Sequence, residues 1–135
     1  MTGGRYRIVL VTCGSMAEAR RISSSVVEKR LAACANIVLG GVESIYRWKG
    51  KVERAREVLV VMKTITGRLG ELESEVKRRH SYEVPEFVVL PVAAGSREYL
   101  AWLGESVDDV VGIKASTLTP GAATRRRVGP GRGRR

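Results

Sequence analysis

The side chains with the chemistry to hold a metal ion are few in this chain and far apart. His80 is the single histidine, and Cys13 and Cys34 are the two cysteines. Tyr82 and Glu83 follow His80 after Ser81. Imidazole and thiolate suit copper by ligand softness, and a carboxylate adds charge. Cys34, His80 and Glu83 are therefore the candidate metal ligands, provided the fold gathers them. Cys13 ends an apolar run, and strand adjacency would bring it into the region of Cys34. Spacing alone supplies no ligand pair, since the chain has no C-x-x-C and no H-x-x-x-H. Each residue also has a structural alternative. A histidine at a helix end can bond the last carbonyls and favour the dipole. Free cysteines often serve as small buried hydrophobes.

A second set surrounds a tight turn. Tyr46, Trp48 and Lys51 flank Lys49-Gly50. Read functionally, they wall a ligand cleft in which Lys51 attracts an anion. Read structurally, they anchor an interface, where Trp and Tyr commonly act. Lys63 with Thr64, and Glu83 with Glu86, are candidates for the same cleft, although Glu83 could equally pair with a neighbouring arginine. No catalytic constellation accompanies them. The single histidine lacks an evident nucleophile partner. Residues 66–70 (TGRLG) are too short for a phosphate loop and lack its Lys-Ser/Thr ending. The chain reads as a binding protein, not an enzyme.

The elements that must position these residues follow from apolar periodicity. Residues 6–12 (YRIVLVT) predict a buried strand. Ser15 and Glu18 have capping-box spacing: the hydroxyl accepts from a first-turn amide and the carboxylate returns the bond. A helix is expected over 16–33, with Ala19, Ile22, Val26 and Ala33 inward. Residues 34–48 predict a long second strand, bent by a bulge at Gly40-Gly41. Lys49-Gly50 is the turn, glycine supplying positive φ without steric cost. The third strand is expected over 51–64, exposed in its first half (KVERARE) and buried in its second (VLVVM). A second helix over 68–80 places Leu69, Leu72, Val76 and His80 on one stripe. Pro85 keeps residues 82–85 in a loop. Pro91 confines the strand over 86–92 to an edge or a bulge. Gly95-Ser96 starts a short third helix holding Tyr99, Leu100, Trp102 and Leu103.

This order is the split β-α-β-β-α-β pattern of a ferredoxin-like α/β (α+β) domain, here with a long β-hairpin and a short C-terminal helix. The architecture hosts many functions and names none. Two hairpin strands of about a dozen residues exceed the usual length of about five or six. A domain this small has too few helices to cover them, and long exposed strands are a liability unless another chain pairs with them. Assembly through the hairpin is expected.

Length and charge set the outer limits. A chain of 135 residues suggests one domain, taken as 1–111, followed by a basic tail over 112–135. The tail holds seven basic residues and no acidic ones, which leaves 17 cations against 14 acidic residues elsewhere. The body is thus mildly basic, and the tail carries most of the +10 formal charge. Its Gly, Pro, Thr, Ala and Arg composition predicts disorder from Thr117 onward. No apolar run of about 18 residues is present, so no membrane span is expected. Residues 1–7 lack the apolar stretch of a signal peptide. A cytoplasmic location with reduced cysteines is expected. The rival class is nucleic-acid binding. The RNA-recognition motif shares this element order but carries stacking aromatics on its central strands. The third strand here has none. The tail could still bind phosphates through counterion release, or simply keep the protein soluble.

Several of these residues fall in a familiar order. The run Cys34-Ala35-Asn36-Ile37 is followed by Ser44-Ile45-Tyr46-Arg47-Trp48-Lys49-Gly50-Lys51 and by Met62-Lys63-Thr64. Then come His80-Ser81-Tyr82-Glu83-Val84-Pro85-Glu86, and Gly95-Ser96 with Tyr99, Leu100 and Trp102. Together they resemble the CutA divalent-cation tolerance family over residues 6–107. Two features depart from the family pattern: Ser81 stands where proline usually follows the histidine, and the basic tail is additional. The resemblance implies a compact homotrimer, related in architecture to the PII signalling proteins, with neighbouring hairpins extending one another's sheets. It implies ligand sites near inter-subunit clefts and a divalent metal, copper above all, that is not required for folding. An unknown protein partner would read the bound state. On this reading Cys34, His80 and Glu83 contact the metal, and Tyr46, Trp48, Lys51, Lys63, Tyr82 and Pro85 line the cleft.

Overall fold

A computed structural model describes residues 3–108. The expected tail and the domain boundary at 112 lie outside the described residues. The elements are β1 (Tyr6–Cys13), α1 (Met16–Glu28), β2 (Cys34–Ile37), β3 (Val42–Trp48), β4 (Lys51–Ile65), a 3-10 turn (Thr66–Arg68), α2 (Leu69–Arg79), β5 (Val88–Pro91) and α3 (Arg97–Ser106). The sheet runs β2-β4-β1-β5, every described pair antiparallel, with β3 paired to the first half of β4. If β2 and β3 count as two halves of one strand, this is the ferredoxin-like order with α3 added. Pro91 lies in β5, an edge strand, as its missing donor requires. Among the described residues no helix is long and apolar enough to cross a membrane.

The second strand is not one bent strand. Ile37 pairs with Val60 and Val42 with Glu57, so residues 38–41 stand opposite only Val58 and Leu59. That excess breaks the strand instead of merely bulging it. Gly41 turns the chain with φ +76, and a Cβ there would lie 3.2 Å from the Glu57 carbonyl. The break frees β3 and the first half of β4 to project as a two-stranded ribbon. Its turn has positive φ at both Lys49 and Gly50, the backbone of a tight type I′ hairpin.

The first helix is shorter than its apolar pattern suggests. Ser15 Oγ accepts from the Glu18 amide at 3.1 Å, as expected at an N-cap. The other end closes at Lys29, not at Ala33. Arg30 adopts φ 60, its amide donates to Val27, and the Leu31 amide donates to Val26 at 2.9 Å. These are the two bonds of a Schellman stop. Glycine usually occupies its left-handed position; here arginine does, so composition gave no stop signal. Ala33 instead joins a second apolar cluster with Tyr6, Ile65, Leu100, Leu103 and Val107.

Alternation along the strands sorts side chains between two faces. Val9, Val11 and Cys13 are fully buried, packing with Ala19, Ile22 and Val26 of α1 and Leu72 and Val76 of α2. Val60 and Met62 of β4 face the same way. Ile8, Leu10, Val61, Val88 and Leu90 pair across the sheet in the opposite parity, on a face that α1 and α2 leave open.

The helices are tied by one buried carboxylate. Glu75 of α2 accepts from Ser25 Oγ of α1 at 2.5 Å, Lys29 Nζ at 3.1 Å, Arg79 Nε at 2.5 Å and Arg78 at 2.7 Å. The Ser25 hydroxyl first, and then Arg79, hold its carboxyl well below the ordinary value of 4.5, against the opposing effect of burial. A depressed folded-state value contributes stability that is in force above the ordinary value and is lost as pH falls below it. Wild type and Glu75→Gln, compared by urea denaturation at fixed protein concentration, should differ clearly near neutrality and converge in acid. A gap independent of pH would contradict the assignment. At the helix stop, Arg30→Gly removes a left-handed side chain that costs about 1–2 kcal/mol. Chemical denaturation should show a gain of about 1 kcal/mol, reduced from that figure by the greater unfolded-state freedom of glycine.

Candidate metal and cleft site

Four elements converge where β1 ends. The last residues of β1 meet the start of α1, the C-cap of α2 and the middle of β4. His80 caps α2 in extended geometry (φ −86, ψ 144), which turns the chain back over β1. Its side chain has no exposed surface. Nδ1 accepts from the Tyr82 amide at 3.1 Å, and Nε2 lies 2.7 Å from the Thr12 carbonyl. A carbonyl only accepts, so Nε2 carries the proton and the ring is the neutral Nε2–H tautomer. Both nitrogens are engaged with backbone.

Glu18 completes this junction. The capping spacing suggested that its carboxylate returns to the Ser15 amide. It bonds instead to the Gly14 amide at 3.3 Å, the Ser81 amide at 2.6 Å and the Ser81 hydroxyl at 3.2 Å. Burial would raise its pKa, but the bonds from the Ser81 amide and hydroxyl and from the Gly14 amide hold it below the ordinary value. Proline at 81 has no amide proton and could not make the shortest of these bonds. The departure at Ser81 is thus matched by two hydrogen bonds to Glu18. Beside the junction, Tyr82 donates its hydroxyl to Glu57 Oε2 at 2.7 Å. Burial, then Glu57, push the phenol well above its ordinary range, so it stays a protonated donor. Glu57 is 9% exposed although it lies in the half of β4 expected to be exposed. Nothing in its alternating context signals the tyrosine that covers it.

Cys13, Glu18 and His80 form a metal-like cluster, with one ligand atom from each within 4.8 Å of the others. Its donor chemistry does not fit an ion in this arrangement. The imidazole lone pair is held by the Tyr82 amide, and a ligating histidine needs it. Burial first, then Glu18 and Glu57, push the Cys13 thiol up to about 11, and a thiol is a poor ligand compared with a thiolate. Within the single chain His80 thus ties the loop after α2 to β1, its ring bonding the Thr12 carbonyl and the Tyr82 amide and not the last carbonyls of α2.

The expected trio of Cys34, His80 and Glu83 does not form such a cluster among the described residues. Cys34 and Ile8 both pair with Lys63, whereas His80 bonds Thr12. At about 3.3 Å per residue these levels are about 13 Å apart along β1. Nor does Cys13 share the region of Cys34, because it points to the helices while Cys34 lies on the open face with Ile8. Glu83 is exposed in the loop after α2, and Pro85 is partly buried there.

Cys34 has its own surroundings, which no sequence spacing revealed. Its Sγ lies 3.7 Å from the hydroxyl of Tyr99, which α3 carries over from far along the chain. Lys63 Nζ donates to the same hydroxyl at 3.3 Å and sits 5.5 Å from the ring centroid. Trp102 packs against Tyr99 with centroids 5.4 Å apart. Cys34 is partly exposed in this group. The proposed cleft residues therefore separate. Lys63 belongs with Cys34, Tyr82 with the buried junction, and Tyr46, Trp48 and Lys51 are exposed on the ribbon, where Trp48 pairs with Lys51.

Comparison with known proteins agrees with this geometry. A family model described as CutA1 divalent ion tolerance protein matches residues 7–106. The divalent-cation tolerance protein CutA of Thermus thermophilus is 50% identical over 99 residues, which cover 73% of this chain and 95% of that protein. The chloroplastic protein CutA of Arabidopsis thaliana is 41% identical over 99 residues, 73% of this chain, and the chain spans 54% of its length. The solved structure of Cut A1 from Thermus thermophilus superposes with a TM-score of 0.74 at 48% identity, over 76% of this chain and 99% of that one. The matched region takes in the sheet and all three helices, and the chain therefore belongs to the CutA1 divalent ion tolerance family.

Proposed function

We propose that this chain is a divalent-metal binding protein acting in metal tolerance, that copper is its favoured ion, and that Cys34 is its principal metal contact. The observation that carries this is the position of Cys34. It is a partly exposed sulfur on the open face of the sheet, whereas the ring nitrogens of His80 are engaged and the Cys13 thiol is buried. Divalent copper stands highest in the Irving–Williams order for a given N/O/S site, which supports copper within the divalent class. One sulfur is too few for a tight site, so further ligands come from a neighbouring subunit. Glu83 is exposed in the loop after α2, which supports a role for it across such a boundary. His80 then acts as a positioning residue that shapes that loop. The commitment of His80 to backbone also supports binding over catalysis. Both cysteines are free, which supports a reducing, cytoplasmic setting.

The proposed assembly is a homotrimer with PII-like clefts between subunits. Its support is physical. Ile45, Tyr46, Trp48 and Val52 on the ribbon, and Val88 and Leu90 on the β5 edge, are all exposed in the single chain. An apolar face flanked by two unpaired edges calls for another chain. Lys51 and Lys63 would then line clefts able to take an anionic ligand, and a protein partner could read their occupancy.

Two measurements check this. Native mass spectrometry should give three times the 14.8 kDa chain mass, and a stable single-chain mass would overturn the assembly. Calorimetric titration of the metal-free full chain with copper and with zinc should show saturable binding. Cys34→Ala should weaken it at least tenfold, about 1.4 kcal/mol, and His80→Gln by less. Binding that Cys34→Ala leaves unchanged would sink the assignment, as would no saturable binding at all.

A further inference from the structure

Cys34 is not alone on the open face of the sheet. It is the cross-strand partner of Lys63, and Tyr99 reaches both from α3. The Tyr99 hydroxyl oxygen lies 3.7 Å from Cys34 Sγ and 3.3 Å from Lys63 Nζ. The ammonium also stands 5.5 Å from the centre of the tyrosine ring. An ammonium has three protons to donate and no lone pair to accept with. Lys63 therefore takes a lone pair of the phenol oxygen, and the phenol's own proton is left for the sulfur. A bond donated to that oxygen polarises its O–H, so the cation strengthens the bond that reaches Cys34.

Tyr99 is placed from its own element without help from the hydroxyl. Ser96 caps α3, its Oγ accepting from the Tyr99 amide at 3.1 Å. Leu100 and Leu103 are buried in the second apolar cluster, which fixes the roll of the helix. Trp102, three residues on, packs against the Tyr99 ring. The residue is 42% exposed, so water can satisfy a hydroxyl in this position. The hydroxyl is instead committed to a cation and a sulfur. Among the described residues Lys63 has no carboxylate partner that would account for its charge there.

Resting on Cys34 as the metal contact, we propose that Tyr99 is the positioning residue of that site, donating its hydroxyl proton to the sulfur and so fixing where the sulfur points and how readily it gives electrons to the ion. Groups that bond to a metal ligand orient it and tune the metal. Hydrogen bonding around a cysteine sulfur is one such control. Lys63 sets the strength of that control through the phenol. Neither residue touches the ion; both act through Cys34.

The full chain is titrated with copper by calorimetry and with cobalt by absorption. Cobalt bound to sulfur gives a charge-transfer band whose energy reports the electron density on that sulfur. Wild type is compared with Cys34→Ala, Tyr99→Phe and Lys63→Met. Tyr99→Phe keeps the ring and its packing on Trp102 and removes only the hydroxyl. Wild type should show the cobalt band, and Cys34→Ala should lack it. Tyr99→Phe should bind copper about tenfold more weakly. It should also move the band to longer wavelength, because a sulfur relieved of its hydrogen bond gives up an electron more readily. Lys63→Met should move the band the same way by less. Thermal unfolding verifies that each variant is folded, and Lys63→Met carries the test should Tyr99→Phe fail to fold. An unmoved band in folded Tyr99→Phe overturns the proposal even where binding weakens, since weakening alone marks a structural role. Loss of the band in Cys34→Ala beside a wild-type band in Tyr99→Phe is the failure of this role alone. Wild-type binding that is absent, or that Cys34→Ala leaves intact, is the failure of the metal assignment and overturns the role of Tyr99 with it.

Discussion

Strict alternation of side chains along β1 and β4 is the constraint on which the rest depends. Once Val9, Val11 and Cys13 are committed to α1 and α2, Ile8 and Leu10 must face away. Pairing carries that choice to every strand. Cys34 follows Lys63, Lys63 follows Ile8, and all three lie on the open face. A slip of one residue would exchange the faces, bringing Cys34 toward the helices and burying the Lys63 charge. The burial of Cys13 and the partial exposure of Cys34 are therefore one fact seen at two positions. The partly exposed sulfur lies on the face that α1 and α2 leave open.

The second constraint is the junction at the end of β1. Three segments distant in sequence meet there, joined by paired polar atoms. Glu18 joins the start of α1 to the loop after α2, His80 joins that loop to β1, and Tyr82 joins it to β4 through Glu57. A hydrogen bond to a buried charge is stronger than one between neutral groups, about 1.5–3 kcal/mol. Ser81 supplies two donors at the point where proline would supply none. Rigidity that a proline ring would lend the loop comes here from bonding to a carboxylate. Ser81 is thus a hydrogen-bonding partner of Glu18, not a defect in the pattern.

How much of this could be read from sequence depends on the range of the interaction. Strand and helix order, the Ser15 cap, the Lys49-Gly50 turn and the edge position of Pro91 follow from local rules and appear as expected. The end of α1 was hidden because arginine, not glycine, takes the left-handed stop at position 30. The split of the second strand was half visible, as two glycines whose excess over the partner strand only pairing could show. Site geometry was the least legible. Cys34, His80 and Glu83 are plausible ligands by type, yet which face and which level each occupies is decided by register. The partners of Cys34 come from β4 and α3, and Glu57 is buried by a tyrosine 25 residues away. No spacing rule reaches that far.

Assembly and metal binding, if both hold as proposed, use the same surface. Cys34 shares its face with Ile8, Leu10 and Val61, the residues that an oligomer would cover. A ligand that needs donors from two subunits binds the assembled form and not the separated one, and by mass action it then stabilises assembly. The converse follows from reciprocity: a chain held in its oligomer binds the ion more tightly than one that must first associate. The buried junction takes no part in this exchange, because its lone pairs are already committed within one subunit. Separating a paired junction from an open, soft-ligand face would let the fold persist whether or not an ion is bound.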